Sequence, residues 1–207
     1  MKLKRMLAPL VAVVAVAAAF AAPAAAQAAL HFTDNGNPIT GAPFPTLHYT
    51  GEFEWVSEAG GIKCEHWTAL VEFTTTEAHV RAFDPTNVEP NCETTGLLPL
   101  FGCELANATA PESQEFPWTI DPVSLETGTV TQTKIDIPLA PGCGLGIEEI
   151  VFEATPEHMA GIVLTEPGVL DHVELEGELE TTLGPVNARG TLKVTPEEEG
   201  TITLGEV

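Results

Sequence analysis

The chain is poor in cations. Its 207 residues carry 8 Lys and Arg against 30 Asp and Glu. Lys2, Lys4 and Arg5 lie in the first five positions, and later basic residues are only Lys63, Arg81, Lys134, Arg189 and Lys193. Without that leader the net charge moves from −22 to about −25. Such a surface repels DNA, RNA and anionic lipid, so it argues against nucleic acid or a membrane surface as partner. Its ordinary consequence is solubility.

Groups that carry catalysis are equally scarce. Beyond residue 28 serine occurs only at Ser57, Ser113 and Ser124, and none sits in a G-x-S-x-G elbow. No C-x-x-C pair occurs, and His31, His48, His66, His79, His158 and His172 include no i, i+4 pair. Neither zinc nor any cofactor is implied. Glu65-His66 and Glu157-His158 each set an acid beside an imidazole, but strand neighbours point to opposite faces, so adjacency argues against a shared site. Asp34-Asn-Gly-Asn37 has the look of a calcium loop, yet its twelfth position is Pro45 rather than glutamate. Beyond residue 28 no helical period persists and proline and glycine recur throughout, which excludes long helices.

The N-terminus and the cysteines set the compartment. A basic start, an apolar alanine-rich run over residues 6–20 and the small residues Ala24-Ala25-Ala26-Gln27-Ala28 have the form of a secretory signal, cleaved to leave Ala29 first. No later segment is apolar for long enough to span a bilayer. Export implies an oxidising compartment, where Cys64, Cys92, Cys103 and Cys143 form two disulfides. Spacing leaves all three connectivities open. Cys64–Cys92 with Cys103–Cys143 is favoured because each bond would tie neighbouring strands across a Pro- or Gly-rich connection.

Period-two patterning dominates what remains. In residues 51–75 Phe53 and Trp55 alternate with Glu52 and Glu54, Gly60-Gly61 permits a reversal, and an apolar run follows from Ile62 to Phe73. Parity breaks within that run: Ile62 and Cys64 fall on one face, Trp67, Ala69, Val71 and Phe73 on the other. Either the strand is buried on both sides or a bulge near His66 resets it. Residues 129–137 read as one β-branched strand ending at Pro138. Glutamates alternate with Val173, Leu175, Gly177 and Leu179. Taking 182–185 as a four-residue loop pairs Leu179 with Ala188, Gly177 with Gly190, Leu175 with Leu192 and Val173 with Val194. The same register sets Glu178 opposite Arg189 and Glu174 opposite Lys193. The glutamate row is then a solvated sheet face rather than a cation-binding strip.

The pattern predicts an all-β antiparallel sandwich or barrel. Residues 1–28 are the signal, 29–46 a loosely ordered lead-in, and 47–207 a single β domain; a composition shift near Cys143 also permits a division there. Trp55, Phe53, Phe116 and Trp118 read as core. Tyr49 and Trp67 are the candidates for an exposed sugar-stacking platform.

The segment GEFEWVSEAGGIKCEHWTALVEF, with Cys92-Glu-Thr-Thr-Gly96, Cys103 and Phe116-Pro117-Trp118, resembles small exported proteins of high-GC Gram-positive bacteria. The resemblance spans residues 51–143, its motifs are structural, and it implies no site residue. The expectation is an exported, non-enzymatic β protein acting structurally or by binding a cell-envelope polymer or protein partner. A carbohydrate- or cell-wall-binding module using Trp67 and Tyr49 is the alternative, and a hydrolase with glutamate chemistry the third reading.

Overall fold

A computed structural model describes residues 29–57, 59–85, 92–106, 113–114, 116–131, 133–196 and 198–206. The signal segment lies outside the described residues. Among the described residues fifteen strands follow in order: β1 (Leu30–Asp34), β2 (Asn37–Pro38), β3 (Thr46–Ser57), β4 (Gly60–Phe73), β5 (Ala78–Pro85), β6 (Cys92–Gly96), β7 (Ser113–Gln114) and β8 (Trp118–Pro122). They continue as β9 (Thr127–Thr131), β10 (Lys134–Pro138), β11 (Glu149–Glu153), β12 (Ala160–Glu166), β13 (Val169–Thr181), β14 (Val186–Val194) and β15 (Ile202–Glu206). A short 3₁₀ turn, Leu98–Phe101, follows β6.

The chain closes an antiparallel barrel. Eight strands pair in the order β3-β4-β5-β8-β9-β12-β13-β14, and β14 returns to pair with β3. This chain-order path leaves no free edge in the ring, because each barrel strand meets a neighbour on both sides. Of the two architectures expected, the barrel is the one formed.

The bulge near His66 exists, and it resolves the broken parity. Gly51 pairs with Trp67 but Phe53 pairs with Cys64, so Glu65 and His66 together stand opposite Glu52. With this one extra residue, Glu65 and His66 both turn outward, and Ile62, Cys64, Trp67, Ala69, Val71 and Phe73 all become buried. At the bulge β4 also changes its outer neighbour, from β6 to β5. Beyond it, β10 and β11 extend from the end of β13, where Phe152 pairs with Thr181. Barrel and extension share one contiguous buried cluster.

Three sequence expectations need correction. Residues 129–137 are not one strand: β9 belongs to the barrel, while β10 joins β11 and β7 in the extension. The lead-in is partly strand. Phe32 is buried, β1 pairs along its whole length with β15, and Asn35 (φ 48°) with Gly36 (φ 76°) makes the two-residue turn into β2. The Asp34–Asn37 stretch is thus a hairpin turn in which the Asn35 amide donates to Asp34 Oδ1 at 2.8 Å.

The third correction concerns register. Leu179 pairs with Val186, Gly177 with Ala188, Leu175 with Gly190 and Val173 with Leu192; Arg189 stands opposite Glu176. Thr181 and Gly184 exchange backbone hydrogen bonds at 3.2 and 3.0 Å, and the Thr181 hydroxyl donates to the Gly184 carbonyl at 2.6 Å. The turn therefore needs only Thr182 and Leu183. A slip of two residues keeps every side chain on its face, so patterning alone could not detect it.

Both disulfides join the favoured partners. Cys64 and Cys92 are directly paired residues of β4 and β6. Cys103–Cys143 instead links two loops, whose backbones also bond through Gly144 N–H to Phe101 O at 2.7 Å. Two disulfides fit an oxidising compartment, and no described helix is long and apolar enough to cross a membrane.

A polar staple holds the start of β3. The His48 backbone N–H donates to Glu198 Oε2 at 2.6 Å, and His48 Nδ1 lies 2.7 Å from Oε1. Partial burial raises the Glu198 carboxyl pKa, but the hydrogen bonds from the His48 backbone and ring and from Thr195 outweigh it and leave the pKa below its ordinary 4.5. A depressed folded pKa contributes stability that is complete above the unfolded value and lost as pH falls through the folded one. Glu198→Gln should therefore lower the melting temperature at pH 7 and leave no gap from wild type near pH 2. An equal gap at both pH values would refute the assignment.

Candidate functional site

The two aromatics proposed for sugar stacking lie inside. Tyr49 is 4% exposed and Trp67 is 1% exposed. Tyr49 shares the inward parity of Phe53 and Trp55 on β3, and the bulge turns Trp67 onto the same side. The Tyr49 hydroxyl donates to the Leu170 carbonyl at 3.0 Å. Burial, reinforced by the charges of Asp171 and Glu198, pushes its pKa far above the ordinary phenol value. Neither ring can stack on a polymer in solvent, so the aromatic platform is withdrawn.

His48 and His158 find acids far away in sequence, and His79 one two residues away. His158 Nδ1 contacts Glu178, and its Nε2 lies 3.6 Å from Glu180 on β13. His79 Nε2 lies 3.6 Å from Glu77. Among the described residues, no three His, Cys, Asp or Glu side chains are grouped so as to hold a metal ion. The outer face of β3, β4, β13 and β14 forms a shallow groove with Glu52, Glu54, Glu174 and Glu176 along it and Lys63 and Arg189 among them. In cross-strand register Glu54 faces both Lys63 and Arg189, and Glu176 faces Arg189. Acid and base are interleaved there as on a solvated sheet face.

The distinctive concavity is the barrel lumen. Inward residues of all eight barrel strands, with Phe32 of β1 and Leu204 of β15, enclose a cavity of about 80 Å³. An eight-stranded barrel is just wide enough either to be filled by its own side chains or to hold one small ligand. Small residues decide the outcome here: Ala69, Ala78 and Gly128 occupy lumen positions that larger side chains would fill. One end is closed by β1 and β15, where Phe32 packs edge-on against Phe73 at 5.1 Å and its N–H bonds to Thr75 O at 2.8 Å. Beyond the cavity an aromatic cluster continues, with Phe83 at 5.4 Å from Trp118, 4.4 Å from Trp67 and 5.3 Å from Phe53.

The wall is almost wholly apolar. Tyr49, Trp118 and Thr127 supply its only polar side-chain atoms among the described residues, with no carboxylate, imidazole or thiol. Ile120, Pro122 and Ile162 are half-buried and Thr127 is exposed, which places the mouth on the β8–β9–β12 side. A cavity of roughly 150 Å³ holds benzene, so on that scale the free space suits a molecule of about three non-hydrogen atoms.

Sequence reasoning placed Trp118 correctly in the interior, while Phe116 is only half-buried, and it missed the lumen itself. A cavity depends on how eight inner faces meet, and no single strand pattern reports it. No protein-family model, curated protein or solved structure matches the chain. The site therefore stands on geometry alone.

Proposed function

We propose that the chain is an exported, non-enzymatic binding protein, acting at the cell envelope or outside the cell, whose barrel lumen takes up a small apolar molecule. The observation that carries this reading is the 80 Å³ cavity walled by apolar side chains and reaching the surface beside Ile120 and Ile162. Pre-formed apolar space with a few polar atoms is the usual form of a small-molecule site. The leader-like N-terminus and the two disulfides support action outside the cytoplasm. The absence of paired carboxylates from the described wall separates this reading from a glutamate-based hydrolase.

Binding is tested by melting the mature protein against increasing cyclopropane, a three-carbon hydrocarbon of the expected size. A ligand selective for the folded state raises stability by about 2.7 kcal/mol at one hundred times its Kd, so the melting temperature should climb with concentration. Val130→Phe places a ring in the lumen and should abolish that rise while the variant still melts cooperatively. No rise with wild type, or an equal rise with the variant, would defeat the reading.

A further inference from the structure

Seven large apolar side chains are exposed among the described residues, and four of them gather at one place. Leu97, Leu100, Phe101 and Leu145 sit on the two loops that the Cys103–Cys143 bond ties together, and Leu100 is 79% exposed. Single exposed apolar residues need no explanation, whereas a group of them marks an interaction surface. Backbone contacts hold this group together: Gly144 N–H bonds to Phe101 O at 2.7 Å, and Leu100 N–H to Leu97 O at 3.0 Å. Three residues apart around the 3₁₀ turn, Leu97 and Leu100 share one side of it, while buried Leu98 anchors the other.

The rim carries charge of one sign. Ala140 N–H bonds to Glu104 O at 2.7 Å and Leu139 N–H to Glu148 O at 2.8 Å, so exposed Glu104 and Glu148 flank the same short segment before Cys143. Residues 92–106 and 139–149 contain four glutamates and neither lysine nor arginine. Glu93 is answered by Lys63 across the β4–β6 pair, but Glu149 stands opposite Pro138, and Lys134 lies at the far end of β10. We propose that this tip docks a cationic amphipathic segment of another protein. The partner's apolar face would cover Leu97, Leu100, Phe101 and Leu145, and its Lys or Arg side chains would reach Glu104, Glu148 and Glu149. Apolar contact supplies the affinity and the acids select the sign of charge. A second copy of this chain would set the same glutamates against each other, and an anionic lipid surface is repelled for the same reason. The surface is separate from the lumen, and the proposal does not depend on the lumen being a binding site.

The test uses a short fluorescein-labelled helix of Leu and Lys with one apolar and one cationic face, titrated with the mature chain at about 0.15 M salt and followed by anisotropy. Binding should saturate. Exchanging the peptide's Lys for Glu, or its Leu for Ser, should each weaken it about tenfold or more. Leu100→Ser should raise the Kd about fivefold or more, and Glu104→Gln/Glu148→Gln about threefold or more with a flatter salt dependence. Glu52→Gln/Glu174→Gln removes the same charge from the outer barrel face and should change the Kd less than about twofold. In wild type the peptide should shift the amide resonances of Leu100, Phe101 and Leu145, a readout that needs no variant to fold. Equal weakening by the barrel-face pair, or binding that Leu100→Ser leaves unchanged, would overturn the proposal in favour of diffuse charge attraction. A peptide that does not bind overturns it outright. If phosphatidylcholine vesicles or a second copy then bind, and Leu100→Ser abolishes that, lipid or self-association takes its place.

Discussion

Gly61→Ala should destabilise the barrel by about 3 kcal/mol or more, beyond the usual cost of overpacking. The reason is backbone contact rather than backbone flexibility. A Cβ at Gly61 would lie 1.7 Å from the Trp55 carbonyl oxygen and 2.8 Å from the Val56 Cα, on the paired strand β3. Main-chain atoms inside a closed ladder cannot step aside as a flexible side chain could. Gly51 is held in the same way, its Cβ position 1.8 Å from the Thr191 carbonyl oxygen across the β3–β14 pair. Gly205 supplies the control: nothing lies within 4 Å of a Cβ there, and it too is a strand residue. Gly205→Ala should stay within about 0.5 kcal/mol of wild type. Urea unfolding of the three proteins decides it. A Gly61→Ala midpoint matching that of Gly205→Ala would show that β3 and β4 can separate without cost.

The same glycine pair shows where sequence reading reaches and where it stops. Gly60-Gly61 reads as a reversal, and Gly60 does sit at φ +125°. Gly61 is required for another reason, the approach of a strand that only the folded barrel brings near. The break in parity between Cys64 and Trp67 was legible as a possible bulge, yet choosing it over two-sided burial needed the β3–β4 register. Tyr49 could have been placed inside from its even spacing to Phe53 and Trp55; its apolar ring and polar tip made exposure an attractive alternative. The Asn35-Gly36 hairpin was signalled by the dipeptide itself, but the flanking residues lack the alternation that marks strands. Disulfide partners were favoured correctly, although Cys103–Cys143 joins loops rather than adjacent strands. The lumen had no local signal, since it arises from closure.

Trp55→Ala should cost about 3–5 kcal/mol, the range for deleting a fully buried aromatic ring. Trp55 is 0% exposed and touches Phe53 at 4.4 Å, Phe152 at 4.6 Å and Trp67 at 5.5 Å. Through Phe152 it joins the barrel to the β10–β11 extension, so the loss should be felt in both parts of the core. Its indole N–H is buried with no partner, which separates packing from hydrogen bonding. Trp55→Phe removes that unmet donor and part of the ring, so the two changes oppose each other and the net cost should stay below about 2 kcal/mol. Phe152→Ala opens space beside the same ring. Because the two side chains share one contact, the double variant Trp55→Ala/Phe152→Ala should cost less than the sum of the singles by about 0.5–3 kcal/mol. Equilibrium urea unfolding with an unchanged slope measures all four. Strict additivity, or a Trp55→Phe loss as large as that of Trp55→Ala, would mean that Trp55 does not couple the barrel to its extension by packing.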